Sequence, residues 1–158
     1  MTHPNPPASH IPSDFLLGSE LASLGRFDEA EAAFANAVLV APDFHLARYQ
    51  LGLLQFSSGR ASAALVTWQP LLLLADAQPL VHFVQGFTAL AHDDLATART
   101  HFNTGLARES DNPAVASDIR QVLARMDEIP VAPTTSTHDG DAANHVLLAN
   151  YGKPGTLH

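Results

Sequence analysis

Apolar residues along this chain recur at intervals of three and four positions, which is the spacing of amphipathic helices. Glycine and proline interrupt the pattern between these stretches. The pattern predicts seven helices, over residues 12–24, 28–41, 44–57, 61–74, 79–91, 95–108 and 113–127. We therefore expect an all-α fold.

A period of 34 residues organises about two-thirds of the chain. It relates Gly18, Gly52 and Gly86; Ala30, Ala64 and Ala98; Phe34, Trp68 and Phe102; and Phe15, Tyr49 and Phe83. A glycine in one helix and an alanine in the next let two antiparallel helices approach closely, and the aromatic residue fills the space beside them. The period predicts three helical hairpins, in residues 11–44, 45–78 and 79–112.

The predicted helix boundaries carry residues suited to turns and caps. Gly25 and Gly59 lie between the helices of the first two hairpins, where a chain reversal favours positive φ, and Asp93 holds this place in the third. Asp111 or Asn112 is expected to cap the seventh helix. The polar outer face of that helix, residues 113–128, suits a cap that closes a stack of hairpins, and we assign to that face Asp118, Arg120, Arg125 and Asp127.

Together these residues resemble the tetratricopeptide repeat. The three copies are Leu17-Gly18, Ala30, Phe34 and Pro42; Leu51-Gly52, Ala64 and Trp68; and Gly86, Ala98 and Phe102. The third copy departs from the family pattern, with Gln85 before its glycine and Ser110 where proline is usual. The resemblance implies a right-handed solenoid over residues 11–128, with three hairpins and a C-terminal capping helix.

In the tetratricopeptide family, the first helices of the hairpins line a concave groove that binds polypeptides. By this resemblance the groove residues are Phe15, Ser19, Leu46, Tyr49, Leu53, Phe56, Leu80, Phe83, Phe87 and Leu90. The spacing of residues 49, 53 and 56 also places them on one stripe of a helix. Such a stripe is as typical of a buried core as of an apolar groove, so both interpretations stay open.

The same resemblance bears on the kind of partner. Some family members grip C-terminal carboxylates with Lys, Arg and Asn at positions that here hold Phe15, Ser19, Leu53, Leu80 and Val84. Because these positions offer no cation, we expect a protein or peptide partner with an apolar or amphipathic segment. Small three-repeat bacterial chaperones bind such segments, although they have a longer helix before the first repeat.

Composition bears on which partners and which cellular location the sequence favours. Charged residues make up 15% of the chain, against roughly a quarter in a typical soluble domain, so some apolar surface is expected to need a cover. A net charge of −8 without any basic run argues against nucleic acid and anionic membranes as partners. The chain has no cysteine, and its first 14 residues lack a secretory signal pattern, so a cytoplasmic location is expected.

Candidate chemistry is sparse. None of the nine histidines forms a pair four residues apart, and the nearest approach to a metal cluster is His138, Asp139, Asp141 and His145, in a predicted linker. No phosphate-binding loop or nucleophile motif occurs in the sequence. We expect no catalytic residues, no metal site and no cofactor.

The C-terminal part divides into a linker, residues 129–140, and a tail, residues 141–158, while residues 1–10 are predicted to be disordered. In the tail, a short helix is predicted from Ala142 to Asn150, with Val146, Leu147, Leu148 and Tyr151 as its apolar side chains. We hypothesise that this segment occupies the groove as a competitor or joins copies together. A disordered tail accounts for the same sequence equally well.

Two functions follow from these patterns. The first is a non-catalytic binding module, an adaptor or chaperone-like protein that holds an apolar segment in its groove. The alternative is a structural protein that self-assembles through its tail or through the ends of its solenoid.

Overall fold

The computed structural model describes residues 10–108 and 112–129, and within these residues it contains seven α-helices, one 3₁₀ helix and no strand. The helices are α1 (Ser13–Ser23), α2 (Phe27–Val40), α3 (His45–Ser57), α4 (Ala61–Trp68), α5 (Pro79–Ala91), α6 (Leu95–Arg108) and α7 (Pro113–Asp127), with the 3₁₀ helix at Gln69–Leu73. The predicted all-α class is confirmed. The predictions for the N-terminal segment, most of the linker and the tail, including the histidine cluster, lie outside the described residues.

Six of the seven helices begin and end within one residue of the predicted bounds, and α4 is the exception. Pro70 lies inside the predicted helix, where it has no amide hydrogen to donate and its ring collides with the carbonyl group four residues earlier. α4 therefore ends at Trp68, and the chain continues as the 3₁₀ helix. Within that helix Leu71 is buried, while Leu72 and Leu73 are exposed.

Consecutive helices pair as three hairpins: α1 with α2, α3 with α4, and α5 with α6. In each hairpin, a glycine of the first helix lies against an aromatic ring of the second. A Cβ added to the glycine would lie 2.7, 2.0 and 2.5 Å from the nearest ring atom in the pairs Gly18–Phe34, Gly52–Trp68 and Gly86–Phe102. Because a real Cβ does not approach other atoms so closely, each hairpin needs glycine at this point.

The turns inside the hairpins also repeat. Gly25, Gly59 and Asp93 have φ angles of 80°, 87° and 57°, so all three adopt the left-handed conformation at the same repeat position. After each of them, a backbone amide bonds a carbonyl group five residues earlier, namely Arg26 to Leu21, Arg60 to Gln55 and Asp94 to Ala89, at 2.9–3.0 Å. The third turn therefore has the same geometry as the first two, although it lacks glycine.

Neighbouring hairpins join through the packing of α2 on α3 and of α5 on the 3₁₀ helix. α7 packs on α6, and its side chains Ile119, Val122 and Met126 are buried in the core cluster that also contains Phe102 of α6. An ion pair between Arg99, near the start of α6, and Asp127, at the end of α7, measures 2.7 Å. α7 therefore ends beside the start of α6. Asp118, which the sequence pattern placed on the outer face of α7, is half-buried.

Candidate functional site

The ten predicted groove residues divide into two groups. Six of them are buried, with exposed fractions between 0 and 6%: Tyr49, Leu53, Phe56, Phe83, Phe87 and Leu90. The other four keep solvent contact: Phe15, Leu46 and Leu80 are half-buried and Ser19 is exposed. The stripe is therefore mostly core, and its accessible part is small.

The burial of the six residues follows from packing between aromatic rings of different helices. The Tyr49 ring centroid lies 6.4 Å from those of Trp68 and Phe83, which joins α3 to α4 and α5. The Phe87 centroid lies 5.7 Å from Phe56 and 4.9 Å from Phe102. Because these rings cover one another, the interpretation of the six side chains as an open groove is wrong, and the core interpretation describes them.

The accessible groove residues of α3 and α5 line a cleft of about 370 Å³ at the N-terminal ends of three helices. Leu46 lies in the first turn of α3, and Leu80 lies in the first turn of α5. Val115, in the first turn of α7, contributes a further apolar side chain. The full lining is Asp43, Phe44, His45, Leu46, Ala77, Gln78, Pro79, Leu80, Arg108, Asn112 and Val115.

Local sequence explains why the three helix starts meet there. α3, α5 and α7 begin at residues 45, 79 and 113, so α7 keeps the 34-residue period of the first helices. Proline occupies the first position of α5 and of α7, where no intrahelical donor is needed. The Asn112 side chain caps α7 by accepting a hydrogen bond from the Val115 amide at 3.1 Å.

Phe44, which precedes α3, connects the cleft to the first hairpin. Its ring centroid lies 4.9 Å from that of Phe15 in an edge-on arrangement. The Phe15 ring in turn lies 5.7 Å from Phe34. Phe15 therefore packs within the first hairpin and against the wall of the cleft and does not line the cleft, whereas Ser19 lies on α1 outside the lining.

The rim of the cleft carries charge of both signs. Arg108, at the end of α6, lies 3.4 Å from the Asp76 carboxylate, and the Nε2 atom of the buried His82 lies 3.4 Å from the other oxygen of that carboxylate. The His82 Nε2–H also donates to the Asp76 main-chain carbonyl at 2.7 Å. Arg108 is partly exposed and supplies a cation at the edge of the cleft.

Two carboxyl groups outside the cleft have shifted pKa values. Hydrogen bonds from Thr97, including its amide at 3.2 Å, lower the pKa of Asp94 at the start of α6. Burial raises the pKa of Asp118 on α7. Neither group lines the cleft, so these shifts affect stability and have no part in the candidate site.

A second exposed apolar surface lies on α4 and the 3₁₀ helix. It consists of Val66, Gln69, Pro70, Leu72 and Leu73, around a depression of about 610 Å³. Val66 is 71% exposed and Leu73 is 86% exposed. We call these five residues the α4 patch.

The site residues that the sequence interpretation missed include Phe44, Arg108, Asn112 and Val115. The signal that could have found Asn112 and Val115 is the period itself, because a helix that starts at residue 113 is in register with those that start at 45 and 79. From the sequence, residues 113–128 are assigned to a capping helix, and the first turn of that helix is given no part in the groove. The first turn of the cap forms part of the cleft.

Comparison of the chain with family models, with curated proteins and with solved structures finds no match. Within residues 10–108 and 112–129, no helix combines the length and hydropathy needed to cross a membrane. In that same part of the chain, no three His, Asp or Glu side chains form a group that could hold a metal ion. The case for a function therefore depends on the cleft and on the α4 patch.

Proposed function

We propose that this chain is a non-catalytic binding protein of the tetratricopeptide type, adaptor or chaperone-like in role. It holds an apolar or amphipathic polypeptide segment at the cleft between α3, α5 and α7. The observation that carries the proposal is that Leu46 and Leu80, at equivalent repeat positions, stay accessible in one cleft while the rest of the predicted stripe is buried.

The repeated contacts support a tetratricopeptide-type arrangement. Each hairpin has the same glycine–aromatic contact and the same left-handed turn, 34 residues apart. Hairpins with one internal geometry tend to stack with one relative orientation, which generates a solenoid. A right-handed solenoid closed by α7 is accordingly part of the proposal.

The size and chemistry of the cleft suit a peptide side chain. A volume of about 370 Å³ lies near the lower end of the range of about 300–1,000 Å³ for small-ligand sites. It therefore accommodates a few anchoring side chains, with the remainder of the segment on the rim. The rim offers Gln78, Arg108 and Asn112 to the polar groups of that segment.

Peptide selection on the full-length protein tests this function. Peptides are selected from a random displayed library, and their affinities are then measured for the wild type, for Leu46→Asp and for Leu80→Asp. Because an ionised carboxylate resists transfer into an apolar cleft, each substitution is expected to weaken binding by at least about tenfold, or 1.4 kcal/mol.

The matched control is Val66→Asp, which makes the same kind of change on the α4 patch, away from the cleft. Circular dichroism establishes that all three variants remain helical. Selected peptides that bind the cleft variants as tightly as the wild type contradict the proposal. Failure of the selection to yield any apolar or amphipathic peptide contradicts it as well.

The α4 patch favours a second candidate function, self-assembly. Leu39, 34 residues before Leu73, is also exposed, so large apolar side chains face solvent on two hairpins. Sedimentation over a range of concentrations tests this candidate. Self-assembly through the α4 patch requires that the molecular mass of the wild type rises with concentration. The mass of Leu73→Lys should stay that of a monomer.

A further inference from the structure

The sequence after Ile129 contains an apolar segment that matches the cleft. We propose that residues 142–151 of the same molecule dock as a short helix in the cleft between α3, α5 and α7 and compete there with a partner. Val146, Leu147 and Tyr151 supply the apolar contacts. The inference rests on the proposed function of the cleft and names its regulation.

The place where the described residues end allows residues 142–151 to reach the cleft. α7 begins at the cleft, where Val115 is part of the lining, and ends at Asp127 beside Arg99. Fifteen helical residues rise about 22 Å at about 1.5 Å each, so the chain leaves α7 roughly that far from the cleft. The twelve residues 130–141 span up to about 40 Å when extended. The segment therefore reaches the cleft of its own molecule without strain.

The chemistry of the segment favours the cleft over the α4 patch. Besides its apolar stripe, the segment carries the polar residues Asn144, His145 and Asn150. The cleft pairs Leu46 and Leu80 with a polar rim, whereas Gln69 is the polar member of the α4 patch. Segment and cleft thus complement each other in both apolar and polar groups.

The other large exposed apolar residues of the described chain lie in the first hairpin and include Leu17, Leu24 and Leu39. Because α1 packs on α2 and α7 packs on α6, the second and third hairpins lie between the first hairpin and α7 in the order of helix contacts. The cleft includes the first turn of α7, so the segment reaches it without passing those hairpins.

Because a linker joins the tail segment to α7, even a low affinity of the segment for the cleft is sufficient for docking. A segment on a short flexible linker has an effective concentration in the millimolar range at a site within its reach. Even a helix too short to be stable alone then occupies the cleft for part of the time. A partner that binds the same cleft must displace it, which lowers the apparent affinity for that partner.

Engineered disulfides test the docking, because the full-length chain has no native cysteine. The test pair is Leu46→Cys with Leu147→Cys, and the matched control is Val66→Cys with Leu147→Cys. A disulfide needs Cα atoms within roughly 7 Å of each other, so its rate of formation reports proximity. Both double variants are oxidised with diamide in dilute solution, and intramolecular and intermolecular products are separated by non-reducing electrophoresis.

We expect the 46–147 pair to close within one molecule at least about tenfold faster than the 66–147 pair, since docking keeps the two sulfur atoms together. Equal rates for the two pairs would mean that the tail samples the surface freely. Such a result, faster closure at residue 66, or mainly covalent dimers would each overturn the proposal.

A second measurement separates this inference from the proposed function. The affinity of a selected cleft peptide is compared between the wild type and Leu147→Asp, with Thr135→Asp as the control for added charge in the C-terminal region. Removal of the competitor is expected to tighten binding by about threefold or more in Leu147→Asp alone. If Leu46→Asp abolishes peptide binding while Leu147→Asp leaves it unchanged, the tail inference fails and the cleft function stands. If no peptide binds at the cleft, the proposed function itself fails.

Discussion

Gly52 offers a direct test of the hairpin packing, because one added methyl group would collide with the indole ring of Trp68. A Cβ at this position would lie 2.0 Å from Nε1 and 2.3 Å from Cε2 of that ring. The ring is fully buried, and its Nε1–H donates to the Tyr49 carbonyl at 3.1 Å. Gly52→Ala must therefore displace the indole within the packed core, which both overpacks its surroundings and breaks this hydrogen bond.

The expected magnitude combines three effects. Overpacking a core costs about 1–3 kcal/mol, and a buried N–H left without an acceptor costs about 1–3 kcal/mol. Alanine in place of glycine within a helix stabilises the folded protein by about 1 kcal/mol, because alanine has the higher helix propensity. The net loss in the free energy of unfolding should be about 3 kcal/mol. Gly18→Ala should lose less, because its Cβ would lie 2.7 Å from a Phe34 ring that can tilt.

The assay is urea unfolding followed by circular dichroism. Fluorescence is unsuitable because Trp68, the only tryptophan in the chain, lies at the substituted contact. Ser62→Ala, an exposed change on α4, is the control and should stay within about 0.5 kcal/mol of the wild type. A Gly52→Ala protein that is as stable as the wild type, or more stable, would refute the glycine–tryptophan contact and with it the repeated hairpin geometry.

Three further substitutions test other parts of the structure. Asn112→Ala removes the cap of α7 and should cost about 1 kcal/mol in thermal unfolding; no change would argue against the hydrogen bond to the Val115 amide. Because burial raises the pKa of Asp118, the wild type should lose stability relative to Asp118→Asn as pH rises from the unfolded pKa of about 3.9 through the higher folded pKa. Urea midpoints of both proteins on either side of that window check this sign, and a constant difference would contradict it. Arg99→Ala breaks an exposed ion pair with Asp127 and should cost less than about 1 kcal/mol, with the remaining effect reduced by salt.

Much of the fold was predictable because its determinants are local and repeated. Glycine at residues 18, 52 and 86 identified the points of close approach, and the structure has an aromatic ring against each of them. The bounds of most helices followed from apolar spacing together with turn residues. The early end of α4 was also readable from Pro70, but the apolar run from Leu71 to Ala75 continued the helical pattern and obscured it.

The candidate site was less predictable, since helical spacing indicates which residues share a face and not what covers that face. Tyr49 and Phe83 share a repeat position on different helices, and their burial depends on contacts among α3, α4 and α5 that lie far apart in sequence. Leu46 and Leu80 were identified, but Arg108 was not, because its place at the cleft depends on how α6 packs beside Asp76 and the start of α5. Contacts between residues far apart in sequence determine both the burial of Tyr49 and Phe83 and the place of Arg108 at the cleft.

The location of a bound segment tests the central claim most directly. We suggest nuclear Overhauser measurements between a selected unlabelled peptide and the full-length protein labelled with ¹³C in its leucine and valine methyl groups. The account predicts contacts from the peptide to Leu46, Leu80 and Val115, the leucine and valine side chains that line the cleft. Contacts confined to Val66, Leu72 and Leu73 would place binding on the α4 patch and contradict the account.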